Sequence, residues 1–529
     1  MKSHIILVIG FALVLVFGWA LRLLCLEPQI ILHGAFIPIE KPVKTFGKIY
    51  NGNFQLEEQA YFTVNFPLRN TYIKLHNQFV YSIFRQSPNK DIVLGINNNL
   101  FQEVYIIDYF HANGNLYQSI EPTVQDLKYV QEELLKRGKK VAVIITPSKA
   151  DFNEANIPEK YKLLKSDKKR NYEIMLDYFN KYDIRYFDSN KYLKSIETES
   201  RIPFFQRTGV HWNYVAASYA AENFCKFMND LYGAGQFSNI KTDGYDILNI
   251  PLEQDVDIYN LMNTVHRISD NNYKNESYYK PKISENFIPG LRPTKIFVQG
   301  GSFQNQLVYA LNQDPKNKIS RIENTFVSLH DGKNYNIKSI SDFDINQIID
   351  SDVFIFEVNV RNSYEMGFGF VQYFKEYLQT HKEENNEQIE CVLDVENDVL
   401  PSISYGFYDD EGLFRWSQKS CGVEIENNNI IQNGLQIEFS CMRDMLIKAN
   451  NSEKPNINIY INGKIIKQDY DLINGNQKIV IPPDQIPKIM DNKYYIEIEC
   501  NETFCPKEIN LNTDERNLGL QIYYIGDIR

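Results

Sequence analysis

The chain has 529 residues, of which 43% are hydrophobic, 13% aromatic and 23% charged, a composition that can bury sizeable cores and excludes disorder or a collagen-like repeat. At about 100–200 residues per domain, the length points to two or three folded units. Lys and Arg total 56 against 67 Asp and Glu, a formal charge of −11 that argues against nucleic acid as the main partner and suits a neutral or weakly charged polymer.

Ile5 to Leu21 is an uninterrupted apolar run between Lys2 and Arg22, long enough to span a bilayer. Arg22-Leu23-Leu24-Cys25 offers no small-x-small cleavage site, so residues 1–26 read as an uncleaved anchor. Basic residues flank the run on both sides and leave its orientation open. Residues 27–90 read as a Pro-containing linker followed by a helical collar between Phe54 and Phe84.

From Asp91 the texture changes. Ile92 to Gly95 and Leu100 to Tyr109 read as short strands around Asn97-Asn98-Asn99, and Pro122 to Gly138 as a helix with Val124, Leu127, Val130, Leu134 and Leu135 on one face. Val141 to Ile145 is a continuous apolar run, the signature of a strand covered on both faces, and Ile184–Phe187, Lys295–Gln299, Thr325–Leu329 and Val353–Val358 resemble it. Helical segments lie between several of them, which predicts an α/β three-layer domain with a mostly parallel sheet over residues 91–387. Its site should lie beyond the carboxyl ends of the strands. From about Gln388 short alternating strands and the Asn462-Gly463 turn predict an all-β sandwich over residues 388–529.

Five of the seven cysteines fall in that last part; Cys500 and Cys505 either close a small loop or remain buried thiols. No His-Glu-x-x-His, phosphate-binding glycine loop or G-x-G-x-x-G occurs, so neither a metal nor a nucleotide cofactor is expected.

Four elements carry candidate chemistry. Gly300-Gly301-Ser302-Phe303 follows the strand Lys295–Gln299 and opens a helix, which exposes a serine hydroxyl beside a helix amino terminus; a turn with an N-cap has the same composition. Arg207 to Asn213 leads into an alanine-rich helix and puts His211 beside Trp212, the setting of a general base held by packing, although a lone histidine is commonly structural. Thr146-Pro147-Ser148-Lys149 and Glu357 to Asn362 follow two further strands.

The order of these pieces resembles the alginate O-acetyltransferase family of SGNH-hydrolase-like proteins, the AlgJ/AlgX type. The resemblance runs from Asp91 to about residue 375 and rests on Gly95 with Leu100-Phe101, Pro147-Ser148-Lys149, Thr208 to Trp212, Gly300 to Phe303, and Glu357 to Arg361. It implies a cell-membrane-tethered, extracytoplasmic enzyme that moves acetyl groups onto an exported polysaccharide, with acetyl supplied by a membrane-bound O-acyltransferase, and a carbohydrate-binding β domain behind it. Phe407-Tyr408 and Arg415-Trp416 are sugar-stacking candidates there. By this resemblance Ser302 is the nucleophile and His211 its base, with Gly301, Asn359, Arg361, Lys149 and Trp212 as oxyanion or substrate-binding groups.

Two departures stand out. The family's Asp-x-His is Gly209-Val210-His211 here, and its Gly-Asp-Ser is Gly300-Gly301-Ser302. Glu357, Asp188 or a backbone carbonyl would have to orient the imidazole instead. The alternatives are an esterase using the same machinery and a non-catalytic glycan-binding subunit of an export complex.

Overall fold

The computed structural model describes residues 10, 16–34, 39–111, 117–265, 276–323, 326–328, 334–336, 345–381, 393–394, 404–426, 429–450, 454–487 and 493–528. The expected anchor Ile5–Leu21 lies mostly outside the described residues. Among those described, no helix is long and apolar enough to cross a membrane.

Among the described residues twenty strands follow one another: β1 Ile92–Leu94, β2 Leu100–Gln102, β3 Lys140–Thr146, β4 Tyr186–Asp188, β5 Ile240–Leu248, β6 Tyr278–Glu285, β7 Thr294–Gly300, β8 Asn317–Glu323, β9 Phe326–Ser328, β10 Asn334–Asn336, β11 Val353–Asn359, β12 Leu393–Asp394, β13 Ser404–Asp410, β14 Arg415–Glu426, β15 Leu435–Cys441, β16 Asn456–Ile461, β17 Lys464–Asp471, β18 Gly475–Ile481, β19 Lys493–Cys500 and β20 Gln521–Asp527. The central sheet has the order β10-β9-β8-β7-β11-β3-β4, parallel from β8 to β4 and antiparallel at the β8-β9-β10 edge.

Strand periodicity divides its side chains between two cores. Ala142 and Ile144 of β3, Ile296 and Val298 of β7, and Val353 and Ile355 of β11 pack with the helix Tyr214–Tyr232 on one face. Val141, Val143 and Ile145, Phe297, and Phe354, Phe356 and Val358 pack with the helices Tyr117–Lys136, Asn171–Lys181 and Phe370–Thr380 on the other. This double cover is why those strands read as continuous apolar runs. The antiparallel ribbon β5-β6 was not expected, because its outer residues are polar and half exposed. Glu103–Tyr109 is a helix rather than the expected continuation of a strand; only Leu100–Gln102 pairs with Ile92–Leu94.

The carboxy-terminal strands do not form a two-layer sandwich. They form one curled antiparallel sheet, β17-β16-β19-β14-β20-β15-β18, with β12 and β13 attached to β20 and β14. Twelve-residue β14 is the reason: it pairs with β19 through Ser420–Glu426 and with β20 through Arg415–Trp416, joining the two halves by hydrogen bonds around one core. Trp416 is buried in that core between Phe414 and Phe504, so it offers no face to a sugar. Arg516 covers the Tyr408 ring, and Phe407 packs on the same core. Cys225, Cys421, Cys441, Cys500 and Cys505 are buried free thiols; Cys500 and Cys505 close no loop, and Cys391 lies outside the described residues.

The sheet docks on the α/β part through a buried ion pair. Lys316, just before β8, donates to Glu497 Oε1 of β19 at 2.8 Å and to Ile288 O at 2.7 Å, with its ammonium over Phe287 and Tyr405. Glu497 Oε2 accepts from the Gly290 amide at 2.5 Å and Oε1 from the Tyr405 hydroxyl at 3.2 Å. Removing one partner of such a pair strands the other charge in the interior. Lys316→Met should therefore cost about 3–5 kcal/mol in urea unfolding, and adding Glu497→Gln should recover part of that loss.

Candidate active site

Ser302 lies two residues beyond β7, at the carboxyl edge of the sheet and immediately before the helix Gln304–Leu311. β7 lies between β8 and β11 in the sheet, with β3 beyond β11, so the carboxyl ends of three parallel strands meet beside Ser302. The loop Gln206–Asn213 crosses the same edge. Its Phe205–Trp212 bridge and the Asn213 side chain, which caps the helix Tyr214–Tyr232 through the Ala216 amide at 2.8 Å, fix the path of the chain on either side of His211.

These elements bring three side chains into line. His211 Nε2 is 2.8 Å from Ser302 Oγ, and His211 Nδ1 is 2.5 Å from Asp257 Oδ2. A carboxylate can only accept, so Nδ1 carries the imidazole proton and Nε2 is left to accept from the serine hydroxyl. The other Asp257 oxygen accepts from the amides of Val210 at 2.8 Å and Ile258 at 2.7 Å, which fixes the carboxylate in two directions. Imidazole and carboxylate are 10% and 22% exposed, largely dry yet open on one side. The His211 ring packs at 4.5 Å from Phe303, which in turn meets Tyr105 at 6.0 Å.

Asp257 was not among the expected acids. It lies 46 positions after the histidine, and its only local mark is Asp255-Val256-Asp257 ahead of the short helix Asp257–Leu261. Gly209 explains the exchange. A Cβ there would stand 2.5 Å from Gln254 O and 3.0 Å from Asp255 O, so the chain that delivers Asp257 occupies the space a side chain at 209 would need. Thr208 Oγ1 donates to Asp255 O at 2.7 Å and closes the same contact.

Neither expected acid touches His211. Asp188, at the end of β4, is three strand spacings from β7, about 14 Å across the sheet. It caps the helix Ser189–Ser200 through the Lys191 amide and accepts from the Tyr172 hydroxyl. Glu357 lies beneath the nucleophile strand, where its carboxylate accepts from the Thr146 hydroxyl and, at 2.7 Å, from the Gly301 amide. Gly300 admits it: a Cβ at 300 would lie 2.4 Å from Glu357 Oε2.

The expected oxyanion and substrate groups also differ from their assignments. The Gly301 amide is engaged by Glu357. The Asn359 amide donates to Pro147 O at 2.8 Å while its oxygen accepts from the Arg361 amide, so it braces two loops instead of facing Ser302. Trp212 is fully buried, its indole N–H held by Phe303 O at 3.0 Å. Lys149 is fully buried as well, with Nζ 2.8 Å from Leu100 O, 2.7 Å from Gln206 O, 2.9 Å from Arg207 O and 2.8 Å from Gly209 O. An ammonium has three donors and a neutral amine two, so this cage of four carbonyls favours the charged form even though burial draws the group down to about 7. Lys149 pins the histidine loop and does not reach substrate. Arg361 is half-buried, donating to Asn362 Oδ1 and lying over Tyr364. Among the described residues, no protein acceptor takes the Ser302 amide, and no His, Cys, Asp and Glu group could hold a metal ion.

A mostly parallel sheet with a Ser-His-Asp line at its carboxyl edge is the arrangement of α/β enzymes that carry out acyl transfer through a serine. Residues 100–265 match the family described as an SGNH hydrolase-like domain, acetyltransferase AlgX, a segment that contains His211 and Asp257. Residues 100–265 thus form an SGNH hydrolase-like domain of the AlgX acetyltransferase type. Similar solved structures include the O-acetyltransferase domain of Pseudomonas putida AlgJ, 14% identical over 54% of this chain and 99% of that one, with a TM-score of 0.34. Pseudomonas aeruginosa AlgX is 10% identical over 83% and 94%, TM-score 0.33, and Bacillus cereus PatB1 is 16% identical over 47% and 91%, TM-score 0.28. No curated protein is matched.

Burial pushes the Glu357 carboxyl up from 4.5 to about 7, against the hydrogen bonds from Thr146 and Gly301 that pull it down. The folded chain then holds this proton more tightly than the unfolded chain, so this group's contribution makes stability fall as pH rises from about 4.5 to 7. Glu357→Gln keeps an acceptor for Gly301 and removes the ionisation. Urea unfolding at pH 4 and pH 8 should show the variant gaining on the parent by on the order of 3 kcal/mol between the two; an unchanged difference would mean that Glu357 is already ionised in the fold.

Proposed function

We propose that this chain is a membrane-anchored, extracytoplasmic O-acetyltransferase that carries acetyl on Ser302 and transfers it to hydroxyls of an exported polysaccharide. The observation that carries the reading is the continuous hydrogen-bonded line Asp257–His211–Ser302. The AlgX-type family match supports its substrate class, and the apolar run Ile5–Leu21 supports its location.

In the first half-reaction Ser302 Oγ attacks the acetyl carbonyl while His211 Nε2 takes the hydroxyl proton. Asp257 holds the resulting imidazolium and keeps Nδ1 protonated. The tetrahedral oxyanion forms beside the helix Gln304–Leu311 and is met by the Ser302 amide. His211 returns its proton to the departing group, leaving acetyl-serine. A sugar hydroxyl then enters, gives its proton to His211 and takes the acetyl, and Ser302 recovers its hydrogen from the imidazolium. Acetyl would be supplied by a membrane-bound O-acyltransferase. The ring of Tyr105 and that of Phe368, which stands beside Gly301, wall the site with apolar surface of the kind that orients a sugar.

The same triad would serve an esterase, and the ratio of transfer to hydrolysis with a glycan acceptor separates the two. Incubation with an activated acetyl ester should add one acetyl mass on the peptide containing Ser302, and Ser302→Ala should abolish it. Asp257→Asn should slow acylation by ~10⁴-fold through the wrong imidazole tautomer. Unchanged labelling of the Ser302→Ala protein would sink the assignment.

A further inference from the structure

Three helices follow the apolar run: Phe46–Tyr50, Asn53–Val64 and Arg69–Phe84. In a helical collar packed for water, apolar positions turn inward. Here Tyr81 alone among the residues of the three helices is buried. Leu75, Phe79 and Ile83 recur every fourth residue along one face and are 53%, 54% and 62% exposed, with the Phe84 ring edge-on to Phe79 at 5.5 Å. Phe46 and Tyr50, stacked on each other, are 85% and 86% exposed, and Leu56 and Phe62 add to the same collar. An exposed apolar surface of this kind marks an interaction site.

Two observations identify its occupant as a lipid surface. The collar is continuous with the apolar run: Trp19 stacks on Phe62 at 6.0 Å, and Arg22 reaches Asn65 O and, at 2.6 Å, Glu27. Its charge is opposite to that of the whole chain. Between residues 41 and 90 the basic residues are Lys41, Lys44, Lys48, Arg69, Lys74, Arg85 and Lys90 and the only acidic residues before Asp91 are Glu57 and Glu58, in a protein of charge −11. Exposed aromatic and aliphatic side chains with a basic surround are the composition of segments that lie in an anionic bilayer interface.

The collar also grips the element that bears the acid. Asn263 exchanges hydrogen bonds with His33 at 2.7 and 3.0 Å, Asn77 donates to Met262 O at 2.8 Å and Asn89 to Leu261 O at 3.4 Å. Leu261 closes the helix that Asp257 opens, about 6 Å away along its axis.

We propose that the collar lies in the interface of an anionic bilayer, with Leu75, Phe79 and Ile83 among the lipid headgroups and acyl ends, and so holds the triad at the membrane surface. This rests on the anchored reading of Ile5–Leu21 given above and adds to it a second contact and a fixed position for the site. Acetyl arriving through the membrane would meet Ser302 without diffusion of a free intermediate.

The full chain is reconstituted in nanodiscs of phosphatidylglycerol and phosphatidylcholine, with and without lipids brominated near the start of the acyl chains. Phe79→Trp, and as a remote control Leu413→Trp on the carboxy-terminal sheet, are each read against the parent protein. The Phe79→Trp fluorescence should shift to the blue and be quenched roughly twofold, consistent with burial ~5–10 Å into the interface, while the Leu413→Trp signal stays unquenched. A blue shift without quenching would mean a protein partner or a second copy covers the collar, and no change at all would mean that it faces water; either overturns the proposal. Carbonate washing of the same discs tests the anchor separately: a chain that is retained but unquenched fails only the collar proposal, whereas release of the chain removes both. The Leu75→Glu/Phe79→Glu/Ile83→Glu variant should keep its acetylation by a soluble ester and lose transfer from a membrane-embedded donor at least tenfold; equal retention of both would also overturn the proposal.

Discussion

The site depends on one close contact between two backbones. The turn Gln254–Asp257 lies so near Gly209 that no side chain fits between them. That approach lets the Val210 amide and the Asp257 carboxylate meet at 2.8 Å, and it brings the other carboxylate oxygen to His211 Nδ1. The stakes of such an arrangement are high, because each group in it is desolvated and would be costly if left unpaired. Lys149 makes the contact rigid from behind: a single ammonium ties Leu100, Gln206, Arg207 and Gly209 together through their carbonyls, so the histidine loop cannot swing without breaking several charge-assisted bonds.

The two glycines that look like losses from a family motif have physical causes. At 209 a side chain is excluded because the acid is delivered by another stretch of chain. At 300 one is excluded because the Glu357 side chain and its own backbone stand within 3.0 Å of where a Cβ would be. Glu357 in turn takes up the Gly301 amide and the Thr146 hydroxyl, so β3, β7 and β11 are cross-linked just below Ser302. The result is a serine hydroxyl held on a stiff platform, the kind of preorganisation that electrostatic stabilisation of an oxyanion requires.

What the sequence shows and what it hides follow from range. Doubly covered strands announce themselves by continuous apolar runs, and β3, β7 and β11 lie within a residue or two of their expected places. Ser302 and His211 are legible because each sits at the mouth of a strand or helix with a distinctive neighbour, Gly300-Gly301 in one case and Trp212 in the other. Asp257 is invisible locally: an aspartate opening a short helix is common, and only the folded chain shows that it faces an imidazole. Glu357, Asn359 and Lys149 look catalytic because they follow strands, but buried positions below the edge need polar groups to satisfy one another, and that role has the same sequence signature. The sheet ribbon β5-β6 and the curl of β14 depend on pairings dozens of residues apart, which alternation cannot specify.

The short helix Asp257–Leu261 is where chemistry and attachment share one element. Five residues cannot hold a helix by their own hydrogen bonds, since nucleation costs more than a single turn returns. Its stability comes from its ends: at the front from Thr208, Val210 and His211, and at the back from His33 ahead of the collar, Asn77 within it and Asn89 just after it. The Tyr259 amide adds a bond to Thr208 O at 3.1 Å, and Ile258, Tyr259 and Met262 sink into the same core as Trp212 and Phe303. Loosening the collar would therefore act first on the acid and leave the serine, seated on β7, in place. The triad is thus built from a rigid half belonging to the sheet and a dependent half held by the helical collar.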